Sequence, residues 1–299
     1  MAHFARQDAF IWHGAGVPIT VDMTTQGRGP LALLLPAIST VSTRHELAPL
    51  QARLAEHYRT VSVDWPGFGD RARPFHEGNA ALMVRFLDDL LTHLSERPAL
   101  VVAAGHGAGL ALLYLKRHPD ACDALALVAP TWRGPLPTMT RGVNKPWFKQ
   151  LRQVFDSPVG KGLYWLNIRP WCIRKMVNEH VFEQQDWLNR ARMAGKRQVP
   201  KSAGARHGSI RFVTGCYDAF IHAEDARAAV EGLNVPVLML STPHMPARSG
   251  ENMQALGEAG NVDAVTLPHG RLLMHEECPE AVYRAIHDFM EQRAAAAQG

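Results

Sequence analysis

Apolar positions along the chain follow two rhythms. Short runs with few polar interruptions occur at Leu31–Pro36, Thr60–Asp64, Leu100–Ala104, Ala124–Pro130, Pro236–Leu240 and Val262–Leu267. Runs of that length between turn-forming residues read as strands buried on both faces. Between them, Met83, Phe86, Leu87, Leu90, Leu91 and Leu94 recur at intervals of three and four, the spacing of an amphipathic helix. Further helices are predicted from about Glu46 to His57 and from Pro279 to about Arg293. Strands alternating with helices predict the α/β class, a mostly parallel, doubly wound sheet covered on both faces.

One run carries more than periodicity. Leu100 to Leu113 (LVVAAGHGAGLALL) reads as a buried strand, a tight turn and a helix. Laid on the pattern G-x-S-x-G, the segment Gly105-His106-Gly107-Ala108-Gly109 puts Gly107 where a serine stands. That pattern holds its central residue in a strained backbone so that the side-chain oxygen clears the sheet. Glycine takes the conformation without steric cost but presents no oxygen. Asp64-Trp65-Pro66-Gly67-Phe68-Gly69 adds a D-x-x-G-x-G turn after the second parallel strand. With these two motifs the chain resembles the α/β-hydrolase superfamily over Leu31–Pro130 and from Val235 onward. The resemblance implies an α/β-hydrolase core of residues 1–130 and 236–299, with residues 131–235 as a helical cap insertion.

The resemblance also implies places for an acid and a base. The acid is expected after Pro236–Leu240, where Met245 falls; the base is expected in the turn after Val262–Leu267, where Arg271 falls. Gly107, Met245 and Arg271 then leave all three triad roles vacant. A slip of a few residues would let His269 or His275 serve as base and Asp218 as acid, against the plainer reading of polar residues at loop ends. No metal-ligand spacing and no cofactor motif is read.

An anion-binding part survives a missing serine. A helix N-terminus offers free N–H groups and a partial positive charge. The resemblance implies oxyanion donors at Ala108 and at Ala37 or Ile38. Ser39 and Arg44, in the hydroxyl-rich loop after Leu31–Pro36, are candidates for a ligand head group. Thr43 with Glu46 reads as a capping box. His106 is either a ligand contact or the holder of a structural hydrogen bond, and Trp132 is a candidate apolar contact.

Charge sharpens the picture in one region. Residues 131–211 hold sixteen Lys and Arg against four acids, a balance of +12 in a chain of +4, so the remainder carries −8. The same stretch holds Trp132, Trp147, Trp165, Trp171 and Trp187, five of the seven tryptophans. Basic and aromatic together suit anionic head groups and apolar tails, or a cover over a large apolar ligand; solvated helix faces over a small core of their own are the alternative. Nucleic acid is disfavoured because no RNA-binding signature is present and the charge is spread through helices. The four cysteines are scattered, which argues against a disulfide framework. No leader-like or membrane-spanning apolar run is present in the sequence, so a cytoplasmic protein, peripheral at a membrane as an option, is expected.

The phrases PAISTVSTR (36–44), DWPGFGD (64–70) and APTWRGPLP (129–137) are similar to a branch of hydrolase-like proteins of photosynthetic bacteria and chloroplasts that lacks the serine. The likeness implies a lipid, isoprenoid or pigment ligand. Two functions stay open: a non-hydrolytic binder of an apolar or amphipathic small molecule under the cap, or an enzyme with a reorganised site (a non-serine hydrolase, lyase or isomerase) using the oxyanion hole and a histidine.

Overall fold

A computed structural model describes residues 4–184 and 187–298. The chain opens with an antiparallel hairpin, β1 (Arg6–Trp12) and β2 (Ile19–Gln26). The apolar rhythm does not announce this pair, because β1 alternates between exposed and half-buried positions at the sheet edge. Then follow β3 (Leu31–Leu35), α1 (Ala48–Leu54), β4 (Arg59–Val63), α2 (Ala80–Leu94), β5 (Leu100–Ala104), α3 (Gly105–Leu115) and β6 (Leu125–Val128). Six helices come next: α4 (Pro135–Met139), α5 (Trp147–Asp156), α6 (Pro158–Asn167), α7 (Pro170–His180), α8 (Arg190–Gln198) and α9 (Ala205–Val213). The core resumes with α10 (Ala223–Glu231), β7 (Val237–Ser241), α11 (Ala247–Gly257), β8 (Val262–Thr266), α12 (Met274–Glu277) and α13 (Pro279–Gln298).

The eight strands form one sheet in the order β1-β2-β4-β3-β5-β6-β7-β8, parallel from β4 through β8. The α/β, doubly wound expectation is met. Leu33 lies opposite Val61 on one side and Val101 on the other, so the leucine run of β3 is sealed between two apolar neighbours. The predicted strand at Val262–Leu267 is present, but β8 is the outer strand and its side chains are mostly exposed, since only β7 flanks it. The helix expected from Glu46 begins instead as a 3-10 turn, Arg44–Leu47, before α1. Pro49 lies in the first turn of α1, where a missing N–H is harmless, and so resets the helix start.

Helix α3 is buried on nearly every face, packed against α2, α10 and the sheet. Helix α10 falls within residues 131–235, yet it packs on α3 and α11, and Ala226, Ala229 and Val230 belong to the main core. The helices that cover the sheet ends are therefore α4–α9. They meet the core through a small apolar cluster in which Ile173, Phe182, Leu188 and Met193 of the cap touch Ala37, Val41 and Leu273. Among the described residues no helix is long and apolar enough to cross a membrane.

Candidate functional site

The sharp strand-to-helix turn lies at Gly105, with φ of +50° immediately after β5. Gly107, two residues on, is inside α3 and does not take a left-handed conformation. The motif thus sits two residues earlier than its glycine spacing suggests, as Ala103-Ala104-Gly105-His106-Gly107. Both glycines are explained physically. A side chain at Gly105 would start 2.9 Å from the Cβ of Ala37. One at Gly107 would start 2.4 Å from the carbonyl oxygen of Pro36, itself bonded by Trp65 Nε1 at 2.8 Å. Gly107 is glycine because α3 passes close under the loop after β3.

With the turn at Gly105, the amide that follows it belongs to His106, and Ala108 lies buried one turn into the helix. The His106 ring is buried, with Nε2 2.7 Å from the Tyr217 carbonyl. A carbonyl only accepts, so Nε2 carries the proton. Burial pulls the ring down to about 4, against the opposing hydrogen bond to Tyr217, so it is neutral near pH 7. Its structural hydrogen bond is the alternative that the geometry supports.

The loop after β3 is committed inward. The Ala37 amide donates to Glu46 Oε1 at 2.7 Å. Glu46 is wholly buried, and the same oxygen lies 3.1 Å from His275 Nε2. Burial raises the Glu46 pKa, but His275, Lys196 and the Ala37 amide outweigh it and hold the carboxyl below its ordinary value. Glu46 Oε2 and His275 Nδ1 are buried without a hydrogen-bond partner. Thr43 does cap the 3-10 turn, accepting from the His45 amide at 3.2 Å, but Glu46 reaches to Ala37 rather than back to Thr43, so the capping box is half made. Ser39 Oγ pairs with Ser42 Oγ at 2.8 Å, and Ile38 is buried. Arg44 was expected at a pocket mouth. It is buried instead, held to Asp64 at 2.5 Å and bonded to Thr24 and Gln7, because its guanidinium neutralises a carboxylate behind the sheet end.

The other candidates divide between two places. Asp218 Oδ1 accepts from the Gly134 amide at 2.6 Å and closes the loop between β6 and α4; it is not paired with His269 or His275. Trp132 is buried over Gly109 of α3, where its backbone and Cβ lie too close for any side chain at that glycine. Met245 packs on the main core in the turn after β7. Arg271 stands half-buried after β8, its carbonyl accepting from the Met274 amide.

His269 belongs to a second group. Its Nδ1 lies 3.6 Å from Glu183 Oε1, and His244 Nε2 lies 3.1 Å from the same oxygen. Glu183 Oε2 accepts from the Gly270 amide at 2.6 Å. Sequence reading overlooked Glu46, Glu183 and His244. Glu46 looked like a helix cap, and no local spacing joins Glu183 of the cap to histidines sixty-one and eighty-six residues away.

Comparison with known proteins agrees with this architecture. The model of the alpha/beta hydrolase family matches residues 11–285. A thermophilic esterase from Thermogutta terrifontis superposes with a TM-score of 0.73 at 17% identity, over 96% of this chain and 98% of that one. The haloalkane dehalogenase DatA from Agrobacterium tumefaciens C58 gives 0.70 at 18% identity, over 96% and 97%. The epoxide hydrolase CorEH gives 0.71 at 17% identity, over 96% and 99%. An uncharacterized protein of Mycobacterium tuberculosis is 28% identical over 103 residues, 34% of this chain. The chain spans only 30% of the length of that relative. A continuous match over nearly the whole chain, on a parallel sheet with a turn-and-helix after β5, means that this protein belongs to the alpha/beta hydrolase family.

Proposed function

We propose that this protein does not work through an elbow nucleophile and instead engages an anionic amphipathic ligand, a lipid surface being the chief example, through its cap. The observation that carries the first half is Gly105: the left-handed residue after β5 has no side chain, and Ala37 fills the space one would enter. Removing a nucleophile lowers turnover about a millionfold in a well-studied serine protease. His275, His269 and Asp218 are engaged elsewhere, with Glu46, Glu183 and Gly134 respectively.

The cap supports the second half. Trp147, Val159, Leu163, Trp165, Leu166 and Trp171, on α5–α7, are 45–72% exposed. Lys149, Lys161, Arg174 and Lys175 are exposed on the same helices. Exposed apolar side chains interspersed with cations on the same helices are the composition of a membrane-facing surface. The ligand thus meets the outer face of the cap, rather than a chamber over the closed turn at Gly105.

Flotation of the full chain with phosphatidylglycerol-containing vesicles, and with phosphatidylcholine alone, tests this reading. Each basic residue near an anionic surface contributes about 1 kcal/mol, so binding should be strong at low salt and weaken as salt screens it. Insertion of tryptophans would leave a part of the binding that salt does not screen, and Trp165→Ser with Trp171→Ser should remove it. Absence of flotation with either vesicle sinks the lipid half; labelling by a fluorophosphonate probe at the turn sinks the nucleophile half.

A further inference from the structure

Glu183, His244 and His269 come from three separate parts of the chain. Glu183 follows α7 in the cap, His244 lies in the turn after β7, and His269 lies in the turn after β8. One ligand atom from each, a ring nitrogen or a carboxylate oxygen, lies within 4.8 Å of the other two. We propose that they bind a first-row divalent metal ion of the Zn2+ type, which fastens the cap to the carboxyl ends of β7 and β8.

The chemistry of the donor set fits such an ion. Two imidazoles and one carboxylate are common ligands of Zn2+, which holds them at about 2.0–2.2 Å. Ligands in a tetrahedron of that radius stand roughly 3.3–3.6 Å apart. The two distances from Glu183 Oε1, 3.1 and 3.6 Å, lie close to that spacing. The two histidines lie within 4.8 Å of each other through their ligand atoms, so they must draw together to complete the triangle.

The carboxylate is also oriented. Glu183 Oε2 is held by the Gly270 amide at 2.6 Å, which leaves Oε1 to face the two rings. Outer hydrogen bonds of this kind fix ligand direction at metal sites. The Glu183 and Gln184 amides both donate to Glu277, and Phe182 is buried beside Leu273, so the segment is anchored on both sides of the ligand. The other cluster of suitable side chains among the described residues, Asp22, Asp64 and Asp70, is already neutralised by Arg44 and Arg71.

Three protein ligands leave at least one coordination position for water or an external anion. His244 and His269 are 41% and 67% exposed, so that position faces solvent and an ion can enter without opening the core.

The test is Zn2+ titration of the full chain, freed of any purification histidines, against a chromophoric chelator. One Zn2+ per chain is expected. His244→Ala and His269→Ala should each weaken binding by at least about tenfold, and Glu183→Gln by a similar factor. Co2+ in place of Zn2+ should give visible d–d bands that each variant diminishes. In EDTA the variants should melt with the unsubstituted chain, since the site is half-exposed and outside the core. Failure to bind one equivalent overturns the site. So does binding that the His244→Ala/His269→Ala double variant leaves unchanged, which would move the ion to another histidine pair such as His57 and His287. The site is independent of lipid binding, because flotation in EDTA reads the cap face alone.

Discussion

The carboxyl edge of the sheet has two ends, and each carries a glutamate facing histidine. Over β3 and β5, Glu46 and His275 are sealed from solvent, tied to the Ala37 amide and covered by the cap's apolar cluster. Over β7 and β8, Glu183 faces His244 and His269 in a half-open setting. The residue types are alike, and burial makes the difference. In the dry end the carboxylate's contacts with Ala37 and His275 fix the loop against α3. In the wet end, the same chemistry remains accessible to an ion. The turn after β5 is closely approached by Ala37, while accessible donor groups lie two to three strands away.

The largest effect should separate the two glutamates. Glu46→Ala leaves the Ala37 amide and the His275 ring without their shared partner in a dry interior. Removing one member of a buried pair is destabilising by about 3–5 kcal/mol. Glu183→Ala removes partly exposed contacts and, without metal, should change stability by about 1 kcal/mol or less. Urea unfolding of both variants in EDTA measures the contrast. Equal losses would mean that burial does not distinguish the pairs.

The next effect concerns the turn at Gly105. An L-residue in the left-handed region is disfavoured by about 1–2 kcal/mol, and a Cβ there meets that of Ala37 at 2.9 Å. Gly105→Ser should therefore lower the melting temperature, and Ala37→Gly in the same chain should recover part of the loss. Neither variant should gain esterase turnover, because the nearby histidines are committed to Glu46 and Tyr217. Turnover in Gly105→Ser alone would show that the closed end keeps a working base.

How legible all this is from sequence depends on the range of the signal. The parallel strands and α2 are readable because their apolar side chains face the core along a contiguous segment. The glycine-rich turn after β5 is readable too, but its register is not. Three glycines at alternate positions (105, 107 and 109) offer competing alignments, and only the φ of Gly105 and the passage of Gly107 under Pro36 separate strain from close packing. Arg44 reads as a candidate for a ligand head group because its partner Asp64 lies twenty residues away on another strand end. Glu46 and Glu183 are invisible for the same reason: each acquires its role from residues brought together only by the sheet.

Asp218 lies over β6, between the two ends, and gives the finest test of burial as the deciding variable. Burial pushes its carboxyl up to about 7, against the lowering effects of the Gly134 amide and Arg133. The folded chain then holds this proton up to about pH 7, whereas the unfolded chain releases it near the ordinary aspartate value of about 3.9. Stability from the neutral carboxyl is complete below the unfolded value and is lost as pH rises through the folded one, with a slope of at most about 1.4 kcal/mol per pH unit. His106 works in the opposite sense, since its lowered value favours the folded chain as pH rises from about 4 toward the ordinary histidine range. The two slopes oppose each other across mildly acidic pH, so the pH profile of the unsubstituted chain hides both. Asp218→Asn removes one of them while its side-chain oxygen can still accept from Gly134. The variant should gain about 1–3 kcal/mol on the unsubstituted chain between about pH 5 and pH 8, read as the widening gap between two sets of urea midpoints. Parallel midpoints across that range would mean that Asp218 ionises freely and that the loop over β6 belongs with the wet end of the sheet.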